Sequence, residues 1–448
     1  MRHTKPRPSR YLRFVALALT AIAGCGVTPA TPAEPPAATR TVTVGVPTSM
    51  RSAPFDQPRT LNVPEGFKID VLARIPDARF MAVAPNGDVF VSVPKAGTVK
   101  VIRPRAGHDP EVFDYATGLS QPHDLVFHTI GSVMYLYVAE QDRVARYTYT
   151  PGDRTGRGRQ EIITGLPTQG SDNLTTVYRH TLKNIVIDAQ HTLYVSIASA
   201  SNADPVDLDA NPKRGAIYAY TADGKNPRLY AEGIRNAVGL AFAPGTNDLW
   251  AVVNGRDNIR YPHHRDADGD GTDDYGKSIP AYVYTHPPDT VLRVRDGKHY
   301  GWPFCNPTPD GPGGLRNMPY DADVETNPGA SRFACSNAAR AEGGFHAHSA
   351  PLGLTFWTHG PGPYRNVMTV GLHGCGACSP TIATEVVMLT LRPDGTLGEE
   401  RDLVTGWVTD PHNLNTGRWG RPVDTADMPD GSLLISDDKS GTVYRLYR

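Results

Sequence analysis

Apolar residues along this chain fall into short runs, many alternating with polar ones, and Gly, Asp, Asn or Pro stand between the runs. That is the period-two grammar of β-strands joined by tight turns, and no stretch carries the i, i+3, i+4 stripe of a helix three turns long. From Leu61 the pattern repeats as an apolar strand, a turn and a second strand. The pairs are Gly87 to Ser92 with Gly97 to Val101, Val133 to Val138 with Arg143 to Tyr147, and Leu193 to Ser196 with Gly215 to Tyr220. They continue as Leu249 to Val253 with Thr290 to Val294, Val367 to Val370 with Glu385 to Leu389, and Ser432 to Ser436 with Gly441 to Leu446. Six copies predict six units. Short strands in radially stacked units predict an all-β fold, a six-bladed β-propeller with four-stranded antiparallel blades, whose closure leaves only short edges. A pair of β-sandwiches is the competing architecture. The strand-like Phe67 to Leu72 precedes the first unit, so it is expected to complete the last blade and close the ring.

Upstream of the outward strands lie further short apolar strands, each preceded by polar residues. Gln121-Pro122-His123 precedes Leu125 to Phe127, Arg179-His180 precedes Ile185 to Ile187, and Arg235-Asn236 precedes Leu240 to Phe242. His346 and His348, two apart on one strand face, precede Leu352 to Leu354, and Arg421 precedes Val423. The first strand of a propeller blade lines the central channel, so repeat-equivalent positions converge at one end of it. One such residue alone reads as a surface side chain, whereas five at equivalent positions read as a ligand site. Arginines, an asparagine, a glutamine and histidines, with no serine or cysteine nucleophile among them, suit an anionic planar ligand held by forked guanidinium bonds, with an imidazole as base.

Composition narrows the reading. The 448 residues carry 45 basic and 46 acidic side chains, which argues against nucleic acid as a partner and against a polybasic membrane patch. At the N-terminus, Arg2, Lys5, Arg7, Arg10 and Arg13 precede an apolar run, Phe14 to Gly24, too short to span a bilayer. The run ends Ile22-Ala23-Gly24-Cys25, which resembles a bacterial lipobox. Residues 1–24 are therefore expected to be a lipoprotein signal peptide, with Cys25 lipidated and the protein exported and membrane-anchored on the outer face of the cell membrane or in the periplasm. An ordinary secretory signal is the alternative. Residues 25–60, rich in Pro, Thr and Ala, read as a flexible tether, and 61–448 as the propeller. Setting Cys25 aside leaves Cys305, Cys335, Cys375 and Cys378, an even set in an exported chain, read as the staples Cys305 with Cys335 and Cys375 with Cys378. A redox or metal pair at Cys375 and Cys378 stays open. Asp266, Asp268 and Asp270, with Gly271, resemble the first half of a calcium loop, but Lys277 stands where such a loop closes with glutamate; a structural calcium competes with a solvated acidic loop.

Four motifs then carry a family resemblance. Gly233-Ile-Arg-Asn-Ala-Val-Gly-Leu240, Pro287-Pro288-Asp289 leading to Tyr300-Gly-Trp-Pro303, His348-Ser-Ala-Pro-Leu-Gly353, and Gly420-Arg-Pro-Val-Asp424 through Ser436-Asp-Asp438 together resemble the glucose/sorbosone dehydrogenase family, in order across residues 61–448. The resemblance implies a six-bladed propeller that binds pyrroloquinoline quinone (PQQ) with calcium and oxidises the anomeric or aldehyde carbon of a sugar, sugar aldehyde or related polyol, passing electrons to an external acceptor. It implies His180 as general base, Arg235 and Asn236 on the quinone oxygens, Arg235 also stabilising developing charge, and Gln121 and Arg421 on the cofactor carboxylates. His348 reads as a further cofactor or channel contact, and the backbone carbonyls of Pro287 and Pro288 as calcium ligands. Two positions depart from soluble glucose-oxidising relatives. Arg179 replaces an aspartate before the base, and residues 366–391 hold no lysine, carrying His373-Gly-Cys375-Gly-Ala-Cys378 instead. Two other classes stay open: a non-catalytic propeller lipoprotein that binds carbohydrate or protein, and a metal-dependent lactonase-like hydrolase, which would want Glu, Asn and Asp around a channel metal.

Overall fold

A computed structural model describes residues 38–168, 180–376, 378, 380–413 and 416–448; Cys25 and Arg179 lie outside these. Each expected strand pair sits inside its own antiparallel sheet, and six such sheets make the propeller. Blade 1 is Met81–Val83, Val89–Val93, Thr98–Arg105 and His108–Ala116, and blade 2 is Leu125–Ile130, Val133–Ala139, Arg143–Tyr149 and Arg157–Thr164. Blade 3 is Asn184–Ile187, Thr192–Ile197, Ala216–Thr221 and Arg228–Glu232, and its outer strand takes the short parallel strand Lys298–His299 as a fifth. Blade 4 is Ala237–Phe242, Leu249–Val253, Asp289–Val294 and Gly343–Phe345, and blade 5 is Pro351–Trp357, Val367–His373, Thr384–Leu391 and Leu397–Val404. Blade 6 is Pro422–Asp427, Leu433–Asp437, Thr442–Tyr447 and, from the other end of the chain, Lys68–Arg74. This last strand pairs Thr442 with Arg74 and Tyr447 with Lys68, closing the ring as expected. The described helices are short, Val206–Asp209 and Pro280–Thr285 among them.

Apolar faces of neighbouring blades meet in the core, where Trp250, Trp357, Trp407, Tyr137 and Tyr444 are fully buried. Around the channel, buried polar side chains tie one blade's inner strand to the next. Asp124 in blade 2 accepts the Ile185 N–H of blade 3 at 2.9 Å, and Asp424 in blade 6 accepts the Met81 N–H of blade 1 at 2.8 Å. Ser196 of blade 3 donates to the Ala237 carbonyl of blade 4 at 2.8 Å. These bonds satisfy inner-strand groups that no fifth strand reaches.

The tether expected over residues 25–60 is corrected by the structure for its later half. Thr39–Thr43, a β-branched run, pairs antiparallel with Thr60–Pro64. Val44 and Phe55 are buried in the core cluster that also holds Trp357, Trp407 and Tyr444. Arg74 of the closing strand donates to the carbonyls of Met50, Ser52 and Ala53 at 3.0, 3.0 and 2.9 Å. Low charge and many prolines look like a linker, but an apolar anchor with a waiting cavity folds such a segment onto its domain.

Between the third and fourth strands of blade 4 lies a long insertion, in which Cys305–Pro307 pairs with Tyr320–Ala322. The disulfide Cys305–Cys335 staples it, and Cys375–Cys378 forms the second expected bond.

Candidate active site

In an antiparallel pair the first strand begins where the second ends. The registers Asn184 with Ser196, Ala237 with Val253 and Pro422 with Asp437 therefore bring two sets of residues to one end of the ring: those before each first strand and those after each second strand. The repeat comparison in the sequence used the former set alone, and half of the site comes from the latter.

His180, before blade 3, places Nδ1 2.9 Å from the Ser199 carbonyl and 3.0 Å from the Ser199 hydroxyl, just past that blade's second strand. A carbonyl only accepts, and the hydroxyl gives its own hydrogen to the Ser201 carbonyl at 2.8 Å, so Nδ1 carries the ring proton. The basic lone pair of the neutral ring is then on Nε2. Ser199 also donates its N–H to the Arg235 carbonyl at 2.8 Å, which sets the imidazole and the arginine one peptide apart.

Arg235 is 5 % exposed. Its Nε reaches the Asn202 carbonyl and its Nη2 the Asn202 amide oxygen, both at 3.0 Å, and Nη2 also meets Asp257 Oδ2 at 3.1 Å. Nη1 makes no hydrogen bond with the described residues, so one edge of the fork stays open. Burial lowers the guanidinium pKa and Asp257 opposes the shift. The Asn202 carbonyl further accepts from Trp302 Nε1 at 3.1 Å. Asn236 Nδ2 donates to Asn254 at 3.2 Å, and Asn254 bonds the Pro351 carbonyl at 2.7 Å. His348 is not on a strand: blade 4 ends at Phe345, blade 5 begins at Pro351, and His348 has φ 65° in the connection. The strand face expected for His346 and His348 is thereby corrected. His348 Nε2 lies 2.7 Å from the Val283 carbonyl and Nδ1 3.7 Å from Asp257 Oδ1, and this carboxylate raises the imidazole pKa.

Beside Arg235 an oxygen-lined recess opens at Gly255. A methyl group there would lie 3.2 Å from the Pro288 carbonyl, 3.4 Å from that of Pro287 and 3.2 Å from Asp289 Oδ1, so three oxygens face the space that glycine leaves. Asp289 is buried, which pushes its carboxyl up to about 6 against the pull of the Gly255 and Ala350 N–H groups it accepts at 2.6 and 2.8 Å. Hard oxygen donors of this kind, with prolyl carbonyls that serve no neighbouring strand, fit a calcium ion.

The opposite side is built by blades 5, 6 and 1 and joins the first through the His373 N–H on the Ala350 carbonyl at 3.1 Å. Arg421 donates through Nε and Nη2 to the carbonyls of His373 and Gly374 at 2.9 and 3.0 Å. Burial and the neighbouring Arg418 push its pKa down to about 10. Arg418 bonds the Cys375 carbonyl at 3.1 Å, so the disulfide turn braces both guanidiniums. His373 pairs with Asp438 at 3.0 Å, and Arg79 with the same carboxylate at 2.7 Å. Burial, with Arg421 and Arg79, drives the His373 imidazole down to about 4 against Asp438, so it is neutral at pH 7.

Arg79 precedes the first strand of blade 1, the repeat-equivalent position that the sequence comparison left out. In blade 2 the buried polar group is His123 rather than the exposed Gln121, whose side chain makes no hydrogen bond with the described residues. His123 packs on Phe80 at 4.3 Å with a buried Nε2 that has no partner among the described residues, and burial and Arg79 hold its pKa well below the usual imidazole range. Ser199, Asn202, Asp257 and Asp438 follow second strands and His373 ends one, a placement that the repeat comparison did not use.

In the loop that joins the second and third strands of blade 4, oxygens of Asp266, Asp268 and Asp274 come within 4.8 Å of one another, while Asp270 accepts from Thr272 instead. Lys277 Nζ pairs with Asp274 at 2.9 Å. The three carboxylates that meet are therefore not quite those expected, because the loop turns Asp270 outward to cap its own backbone.

A profile of the TrAA12-like family matches residues 61–448. Among solved structures, an iodide structure of a Trichoderma reesei carbohydrate-active enzyme of family AA12 is 18 % identical, with TM-score 0.70, and covers 86 % of this chain and 96 % of its own. The holo form of the pyranose dehydrogenase PQQ domain from Coprinopsis cinerea is 19 % identical, with TM-score 0.69, over 90 % and 98 %. The PQQ-bound aldose sugar dehydrogenase of Streptomyces coelicolor is 14 % identical, with TM-score 0.53, over 86 % and 99 %.

Proposed function

The chain belongs to the TrAA12-like family, and from that premise we propose that it is a quinoprotein oxidoreductase that oxidises a sugar, sugar aldehyde or related polyol with PQQ and calcium. The observation that carries this reading is the meeting, at one channel end, of an imidazole with a fixed tautomer, a guanidinium with an open edge and a recess of hard oxygens. The residues present fit the cofactor. Arg235 and Asn236 would hold the quinone oxygens, and Arg421, with Arg79, the carboxylates; Gln121 and His348 would be further cofactor contacts, with His123 packed on Phe80 next to Arg79. The Pro287 and Pro288 carbonyls would hold calcium. When bound, the quinone supplies a two-electron acceptor and the ion a Lewis acid.

His180 takes the substrate hydroxyl proton on Nε2, and the Ser199 carbonyl keeps the ring turned for it by holding Nδ1–H. Arg235, already anchored through Nε and Nη2, presents Nη1 to negative charge that develops opposite the base without reorganising. Two disulfides suit an oxidising compartment, which accords with export and with a lipid anchor on Cys25. Electrons leave to an external acceptor.

The reading is tested by dye-coupled oxidation of aldoses and aldehydes with the full chain loaded with PQQ and calcium. Substrate-dependent reduction is expected, and His180→Ala is expected to lower turnover by about 10² to 10⁴ while quinone binding persists. Full activity in His180→Ala would show that the base lies elsewhere.

A further inference from the structure

The second disulfide stands where the anion-binding side of the site is built, and the mechanism above leaves it unused. His373 ends the second strand of blade 5 and Thr384 begins the third, so Cys375 and Cys378 lie in the connection between them. Three successive carbonyls at its start accept from two arginines. Those of His373 and Gly374 take Arg421 Nε and Nη2 at 2.9 and 3.0 Å, and that of Cys375 takes Arg418 Nη1 at 3.1 Å. Along a regular strand successive carbonyls point to opposite edges, so this run needs a special backbone. Gly374 supplies it with φ 75°, and a methyl group there would strike Thr384 Oγ1 and the Ile382 carbonyl across the connection. The Gly374 N–H is held by the Ser349 carbonyl at 2.9 Å, and the Cys378 N–H by Cys375 Sγ at 2.9 Å. Neither guanidinium forms an ion pair with a described carboxylate, although Arg418 is only 5 % exposed. Peptide carbonyls are what fix their direction.

We propose that the Cys375–Cys378 disulfide is a redox latch on these arginines: closed, it presents the three carbonyls that aim Arg421 at the carboxylates of the anionic cofactor, and opened by a dithiol it frees both guanidiniums and weakens cofactor binding. The proposal rests on the function read above and deepens it by adding a condition for loading. The cross-link confines a short connection that would otherwise sample many backbone conformations, of which few align three carbonyls. A cation held in its binding direction before the ligand arrives loses little freedom on binding, and a loose one loses more. Opening the latch is an ordinary exchange. A dithiol's thiolate attacks the half-buried Cys378 sulfur and the S–S bond breaks. The dithiol's second thiolate then closes its own disulfide, leaving Cys375 and Cys378 as thiols with two electrons and two protons gained. Loading is thereby confined to a compartment that oxidises thiols, in accord with an exported enzyme.

The test begins without any cofactor. The Nε–H resonance of Arg421 in the full chain, assigned by its loss in Arg421→Lys, is followed for hydrogen exchange in the wild type and in Cys375→Ser/Cys378→Ser, which keeps the Cys305–Cys335 bond. The double variant is expected to exchange this proton at least about tenfold faster, because the His373 carbonyl no longer holds it. Dithiol treatment of the wild type is the second route to the same state, with Cys305→Ser/Cys335→Ser treated alike to separate the two disulfides, and reoxidation is expected to restore protection. Titration with PQQ in calcium is then expected to show a Kd at least about tenfold higher for the double variant than for the oxidised wild type. Unchanged Nε–H exchange in both the double variant and the reduced wild type would overturn the proposal, whatever the affinity. Faster exchange in a chain whose oxidised wild type binds no quinone would leave the latch on the arginines standing and sink the functional reading instead.

Discussion

A carboxyl group buried beside a channel keeps its proton unless its neighbours favour the charge, and Asp124 sits on that balance. Burial pushes it up to about 7 although it accepts the N–H groups of Leu125 and Ile185. Its folded pKa stands above the unfolded value, so the native state holds a proton the unfolded chain has lost. Its contribution is therefore complete below about pH 4 and declines as pH rises to about 7, by on the order of 1.4 kcal/mol per unit. Asp124→Asn is expected to flatten that part of the stability curve, as chemical denaturation at a series of pH values would reveal; an unchanged slope would place the proton elsewhere. Among the candidate site residues, His180, Arg235, Asn236 and Arg421 were legible because each lies within four residues before a channel strand. Ser199, Asn202 and Asp257 were not, since small polar residues after a strand look like any turn until the register shows what they face. Arg179, beside His180 in sequence, falls outside the described residues.

Strands were the most legible elements. Period-two runs bounded by glycine and aspartate specify a half-buried strand almost regardless of context, and all six pairs lie where the pattern put them. Thr39–Thr43 was illegible for the opposite reason: its edge exists only because Thr60–Pro64 is there to pair with, and its anchor Phe55 is a single aromatic in a proline-rich stretch. Phe55 packs edge-on against Trp419 and Tyr444, with ring centroids 5.9 and 6.2 Å away, and is 4 % exposed. Phe55→Ala is expected to cost about 3 to 5 kcal/mol in denaturant unfolding. A loss under about 1 kcal/mol would mean that the segment is a tether after all.

At the scale of the whole molecule, the ring makes the site. A blade alone offers one or two polar groups at its end; six blades closed by Lys68–Arg74 against Thr442–Tyr447 hold those groups around a common axis and fix their distances. Closure was readable because a spare strand preceded six complete units, whereas the pairing of Arg79 with Asp438 across the seam between blades 6 and 1 emerges only once the ring is shut. Among the described residues no helix is long and apolar enough to cross a membrane.

The central claim is that this channel end is a quinone and calcium site. It is tested most directly by equilibrium titration of the full-length apo-protein with PQQ, followed by quinone absorbance, in calcium and again with the ion chelated. Saturable binding at one equivalent in calcium, weakened at least about tenfold by chelation, is the predicted result. No saturable binding in either condition would contradict the account.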